Sequence, residues 1–315
     1  MLGSIIIWIL SLLAGFFIAA ELVAKGTEEL EPLIGQGLAG GVLLGLLGST
    51  PETIFVIIAV LKGSFNIAIG SAIGGNLILF TLGMGVIAIV YCLKWKTKLK
   101  MKEDYRVELV FLAISTFGML ALILYGALNV ISGLLLSSIY VAYLAYRYGK
   151  ARHTMRKSLA TKRGVRLFGE GLVYITIGMV MVAFLSEYFV DAITQLAGAL
   201  QIAAIWLALV ISPIAADLDE TISGYRIATK NAGGGSTAVV SFLGSKLENN
   251  TILLGLIGIL AGTSVSLGSA STELLIVIGT NIVAFLFVIR GRFGYREGMV
   301  LITLYFIGIA GALIF

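Results

Sequence analysis

The chain has 315 residues, 59% of them hydrophobic and 12% charged, with a mean hydropathy of +1.04, values that exclude an ordinary soluble domain and describe a polytopic membrane protein. The net charge of +5 does not indicate nucleic acid, because the basic residues sit between apolar runs. One Cys (Cys92) and one His (His153) exclude an internal disulfide, a cysteine-rich metal site and the usual ligand set of a zinc hydrolase.

Apolar runs long enough to cross a bilayer fall at roughly 3–22, 33–61, 64–93, 107–125, 129–147, 168–188, 198–227, 235–261, 267–289 and 297–315. No basic residue precedes the first, so it reads as a retained span and not a cleaved signal. Glu21, Glu28, Glu29 and Glu31 follow it and read as solvating the first loop. Lys94, Lys96, Lys98, Lys100 and Lys102 alternate like a strand face in a loop near anionic lipid. The fourth and fifth runs form one uncharged stretch, Leu109 to Tyr146, too long for one span and divided near Gly126–Asn129. His153 reads as a polar loop residue. Glu273, near the start of the ninth run, reads as an acid that snorkels to water.

With ten spans, 20 of the 22 Lys and Arg lie on one side, Lys62 alone lies on the other, and Lys246 lies inside a span. That asymmetry makes the basic side cytoplasmic and places both termini outside, in the cell (plasma) membrane. The basic loop 147–166 falls midway. Five spans precede it and five follow, so similar halves would enter the membrane with opposite orientation. The expected architecture is an all-α polytopic membrane protein with ten transmembrane helices as two inverted five-helix repeats. Residues 1–147 form the first repeat, 148–166 a basic cytoplasmic linker and 167–315 the second repeat.

The halves can be aligned on residues. Pro51-Glu52-Thr53 falls on Asp219-Glu220-Thr221. Gly74 to Gly85 falls on Gly244 to Gly255 without a gap, matching Gly74 with Gly244, Leu77 with Leu247, Thr81 with Thr251 and Gly85 with Gly255. An ionised carboxylate at the bilayer centre costs roughly 2.5–3.5 kcal/mol on insertion scales, so matched acids such as Glu52 and Glu220 point to a function. Two facing carboxylates suit a hard divalent cation, with Ser49, Asn76, Ser245, Asn249 and freed backbone carbonyls as neutral oxygen ligands. Pro51 and Pro213 read as interruptions of helical hydrogen bonding beside the site, and Gly70, Gly74 and Gly75 as points of close helix approach.

These segments resemble the paired alpha-repeats of the cation/calcium exchanger superfamily, which includes sodium/calcium and proton/calcium antiporters. Gly48-Ser49-Thr50-Pro51-Glu52 and Ala216-Asp217-Leu218-Asp219-Glu220 stand at its G-T-S-x-P-E motif, in alpha-1 (40–85) and alpha-2 (205–255). Gly74-Gly75-Asn76 and Gly244-Ser245-Lys246 stand at its G-S-N motif, with Leu79 and Asn249 at the later position. The resemblance implies a secondary antiporter, not an enzyme, that exchanges a divalent cation, with Ca2+ the best match, for Na+ or H+. It implies a metal site of Glu52, Glu220, Asp217, Ser49, Asn76, Ser245 and Asn249. Cations and lipid are the expected partners, with no resident cofactor, no nucleic acid and no required oligomer.

The sequence departs from the family pattern mainly in its second half. Asp217 stands where the family has Ser, Asp219 where it has Pro, and Lys246 where it has Asn, with Glu248 two residues on. Lys246 and Glu248 are therefore candidates for charge coupling. Lys246 reads either as an ion-pair partner of Asp217, Glu220 or Glu248, or as an ammonium in a monovalent cation's place. Asp217 and Glu220, three apart, share a helix face, whereas Asp219 points elsewhere. Two other functions compete. A ten-span transporter of organic solutes, of the drug/metabolite type, needs no central acids and usually has cytoplasmic termini. An intramembrane aspartyl protease needs a second Asp on another span, and only Asp104 and Asp191, both near loops, remain.

Overall fold

The computed structural model describes residues 2–34, 49–101, 105–159, 162–268 and 270–314. The first part of the run 33–61, Gly48, Lys102, Asp104 and Phe315 lie outside the described residues, as do the side chains of Glu31, His153, Ser158 and Asp219. The described chain is almost entirely helical: α1 (Leu2–Ile34), α2 (Thr50–Leu61), α3 (Phe65–Trp95), α4 (Arg106–Tyr125), α5 (Val130–Leu159), α6 (Lys162–Leu200), α7 (Ala204–Ala216), α8 (Leu218–Lys230), α9 (residues 234–260), α10 (Ser271–Ile289) and α11 (Tyr295–Ile314). By length and composition, α1, α3, α4, α5, α6 and α10 could each cross a membrane. The apolar helices α2 and α7 are shorter. Lys246, Glu248, Asn249 and Asn250 lower the hydropathy of α9, although all four are buried.

Several expected boundaries move. The first loop is helical, because α1 continues through Glu21, Lys25, Glu28 and Glu29 to Ile34. The expected 147–166 linker is also largely helical, with α5 running to Leu159 and α6 beginning at Lys162. Its Ala, Arg, Lys and Met residues favour helix when nothing opposes it. The run 198–227 divides into α7 and α8 at Asp217, whose backbone (φ −110°, ψ 8°) leaves the helical region.

Four two-residue strands tie the loops together. β1 (Leu99–Lys100) pairs antiparallel with β4 (Arg292–Phe293), and β2 (Ala127–Leu128) with β3 (Val265–Ser266). The alternating lysines thus include a short strand. Backbone approach brings several helices together where glycines leave no side chain in the way. A β-carbon on Gly85 would lie 2.8 Å from the Gly298 carbonyl oxygen, and one on Gly255 would lie 2.8 Å from that of Gly133. α1 and α6 run antiparallel with Gly26 and Gly171 in contact, and the Phe16, Phe55 and Phe189 rings fill the space beside them. Pro213 lies inside α7 and cannot donate to the Leu209 carbonyl. Gly74 of α3 packs directly on that oxygen and on the proline ring. Pro51 breaks nothing within α2, since it sits in the first turn, where a missing N–H costs little.

The aligned stretches of α3 and α9 share one local irregularity. Each contains a widened π turn, Ile78–Gly83 and Asn249–Leu253. In each, a threonine hydroxyl, Thr81 or Thr251, donates back to the carbonyl four residues earlier, Leu77 or Leu247. Such turns are costly inside a helix and concentrate at functional positions.

Gly74→Val should lower stability by about 1–3 kcal/mol, because the new side chain meets backbone that cannot move aside. Gly169→Val, with open space around it, should leave the thermal melting midpoint of the purified protein unchanged.

Candidate functional site

Two helix starts face each other across α3 and α9. α2 is preceded by Ser49 and α8 by Asp217, and neither side chain caps its own helix. The backbone is bonded alike at both, Thr53 N–H to Ser49 O at 3.0 Å and Thr221 N–H to Asp217 O at 3.2 Å. Both side chains turn into the bundle instead, Ser49 toward Glu248 and Asp217 toward Glu52. Glu52 lies in the first turn of α2, where the positive end of the helix dipole favours a carboxylate.

Glu52, Asp217 and Asn249 converge on Gly75. A β-carbon there would collide with Glu52 Oε1 and lie 2.7 Å from Asn249 Nδ2 and 2.9 Å from Asp217 Oδ2. All three side chains are buried, and neither carboxyl group receives a well-formed hydrogen bond from the protein. Four oxygens of two acids are thus held together in an apolar interior without a donor. Only a proton or a bound cation can relieve that arrangement.

The other expected ligands are already engaged. Ser245 donates to Glu220 Oε1, so these two form a pair beside the cluster. Asn76 donates to Ala72 O at 3.0 Å and accepts from Lys246 at 3.1 Å. Ser49 donates to Glu248 Oε2 at 2.5 Å, joined by Tyr140 on the same oxygen at 2.6 Å and by Thr53 on Oε1 at 2.8 Å. Among the described residues no group of three or more His, Cys, Asp and Glu side chains is arranged to hold a metal. Two acids therefore meet at one point, and any cation there must complete its shell with neutral oxygens or water.

Lys246 corrects an expectation. It is fully buried, yet it forms no ion pair with Asp217, Glu220 or Glu248. Glu248 leaves the same helix toward α2 and α5, whereas Lys246 leaves it toward α3, so the two charges do not meet. Glu273 is not the exposed acid expected near the start of the ninth run. It is buried in the first turn of α10, where the helix dipole favours an acid. Glu21 and Glu28 are not merely solvated, since they hold Arg226 of α8 at 2.6 and 3.1 Å.

Sequence reasoning missed one buried ion pair. Arg147, counted as a loop residue, is fully buried and grips Glu108 of α4, to which Tyr143 also donates at 3.0 Å. The signal was present: an acid at the start of one run and a base at the end of the next fall at the same level.

Residues 4–149 and 170–313 match the family described as sodium/calcium exchanger protein. An uncharacterized membrane protein of Methanocaldococcus jannaschii is 23% identical over 297 residues, 94% of this chain and 91% of that protein. A sodium/calcium exchanger of Oryza sativa subsp. japonica is 34% identical over 79 residues, 23% of this chain and 14% of that one. Among solved structures, an H+/Ca2+ exchanger superposes with a TM-score of 0.74 at 18% identity, covering 97% of this chain and 84% of the other. A sodium–calcium exchanger superposes with a TM-score of 0.70 at 20% identity, covering 98% and 99%. At these identities the structural likeness establishes the fold.

Arg147→Met strands the Glu108 carboxylate, and the expected loss of stability is about 3–5 kcal/mol. Adding Glu108→Gln should restore most of it, a recovery that thermal unfolding of the two purified variants would register.

Proposed function

The chain belongs to the sodium/calcium exchanger protein family, and from that premise we propose that it is a secondary antiporter that exchanges a divalent cation, Ca2+, for Na+ or H+. The observation that carries the reading is the donor-free pair of buried acids, Glu52 and Asp217, at Gly75. A hard divalent cation balances two carboxylates and accepts neutral oxygens such as that of Asn249. Glu220 and Ser245, beside the pair, complete the site. When the divalent ion leaves, the two charges must be met by Na+ or H+ before the site can cross the membrane again, and this obligation couples the two fluxes.

Ten spans in two inverted five-helix repeats, 1–147 and 167–315, provide the frame for alternating access. Support comes from the matched π turns, the matched glycine contacts and the strand pairs. In that topology β1 and β4 belong to the two basic loops after the third and ninth spans, and β2 and β3 to the two short loops on the opposite face. Every pairing therefore joins loops on one side. Lys62, the one basic residue assigned outside, meets Asp191 at 2.9 Å, as a shared external face requires. The termini are then outside the cell membrane and the 148–166 segment is cytoplasmic.

In proteoliposomes, radiolabelled Ca2+ uptake driven by an outward Na+ or H+ gradient should fall to background in Glu52→Gln and Asp217→Asn with the protein still folded. Wild-type rates in either variant would remove the central acids from the mechanism. Cysteines placed at Ser158 and Phe315 should react with impermeant reagents from opposite sides, and labelling from one side would refute the topology.

A further inference from the structure

Lys246 is fully buried in the middle of an expected span, and its surroundings contain acceptors of a particular kind. Its Nζ donates to the backbone carbonyl of Asn76 at 2.9 Å and to Asn76 Oδ1 at 3.1 Å, and lies 4.6 Å from the centre of the Phe80 ring. Two oxygens and a π face call for a group with several N–H bonds and positive charge, which is an ammonium. None of these partners carries a formal negative charge. Such a ligand set suits a single positive charge and is too weak for a divalent one.

The position matters as much as the contacts. Aligned on Gly74 and Gly244, Asn76 and Lys246 are the same residue of the two halves. They meet face to face, so the ammonium lies where α3 and α9 present equivalent positions to one another. An Asn at 246 would replace the lysine stem and its ammonium by a shorter amide and offer a second amide oxygen to a cation at this contact.

Resting on the antiport reading above, we infer that Lys246 is a tethered monovalent cation: its ammonium permanently fills an alkali-ion position between α3 and α9 and makes exchange at the acid pair independent of an ion bound there. The tether takes the place of one bound monovalent cation at that contact. One counter-cation fewer is then needed to return the empty site. Lys246 touches no substrate in this arrangement and acts as a specificity-determining residue for the counter-ion.

The test counts ions on the purified chain and measures their effect on exchange. At saturation with radiolabelled Na+, Lys246→Asn should bind one more Na+ per chain than the wild type. In proteoliposomes with Ca2+ on both sides, wild-type Ca2+/Ca2+ exchange should be unchanged when Na+ and K+ are replaced by N-methylglucamine. The Lys246→Asn rate should drop about tenfold without alkali cations and recover when Na+ is restored. Lys246→Gln, which keeps a longer stem and an amide oxygen, supplies the same comparison if the Asn variant does not fold. Equal Na+ counts in the wild type and the folded variants, or superimposable alkali dependence, would overturn the tether. Absence of any wild-type Ca2+ flux would overturn the antiport reading alone, since the Na+ count is made on the purified protein.

Discussion

A carboxylate inside a bundle of apolar helices must be answered by a donor, a proton or a cation, and most of the irregularity in this fold follows from that requirement. Glu52 and Asp217 are brought together because two helices start, rather than pass through, the middle of the molecule. Those starts direct partial positive charge at the acids but deliver no hydrogen bond to them. α3 can come close enough to complete the contact only because Gly74 lies on the Leu209 carbonyl that Pro213 leaves without its helical bond, and because Gly75 has no side chain to displace the acids. The widened turns in α3 and α9 lie just beyond, where a regular helix would carry neighbouring side chains onto another face.

Acids buried in the same bundle are treated in opposite ways. Glu248 receives three hydroxyl hydrogen bonds, from Ser49, Thr53 and Tyr140. A net hydrogen bond is worth about 0.5–1.5 kcal/mol, so three of them fix this side chain as an element of structure. Glu52 and Asp217 receive no comparable bond. The difference separates an acid that holds α9 against α2 and α5 from a pair whose charge has to be met by whatever enters. Glu108 belongs with Glu248 in this respect, since Arg147 and Tyr143 answer it completely enough to lock α4 to α5.

The helical, membrane-embedded character of the fold was legible in the sequence because membrane helices are written in long apolar runs, although several helices overrun or divide the expected intervals. The aligned pairs Thr81/Thr251 and Gly85/Gly255 share local structure, so a weak internal match carried real information. What could not be read was the direction of side chains. Lys246 and Glu248 are two apart and of opposite sign, and only packing shows that they face different helices. Ser49 looked like a ligand because its partner, Glu248, is 199 residues away along the chain. Helix ends were also misplaced where charged residues continue a helix, as Glu21 to Glu29 do in α1, because charge marks the edge of the apolar layer and not the end of the backbone hydrogen bonding.

The strand pairs also bear on how the chain is made. β1 finds its partner in β4 and Gly85 packs on Gly298, so the first half of the chain meets these contacts only when β4 and α11 have left the ribosome. Until then Glu52 waits in the bilayer without Asp217 and Asn249 around it, and Glu248, made later, has yet to find its hydroxyl partners. Insertion of these helices is therefore followed by a docking step between them. Truncated or stalled chains would reach the membrane with these acids unanswered, in the condition that quality-control proteases and membrane chaperones recognise.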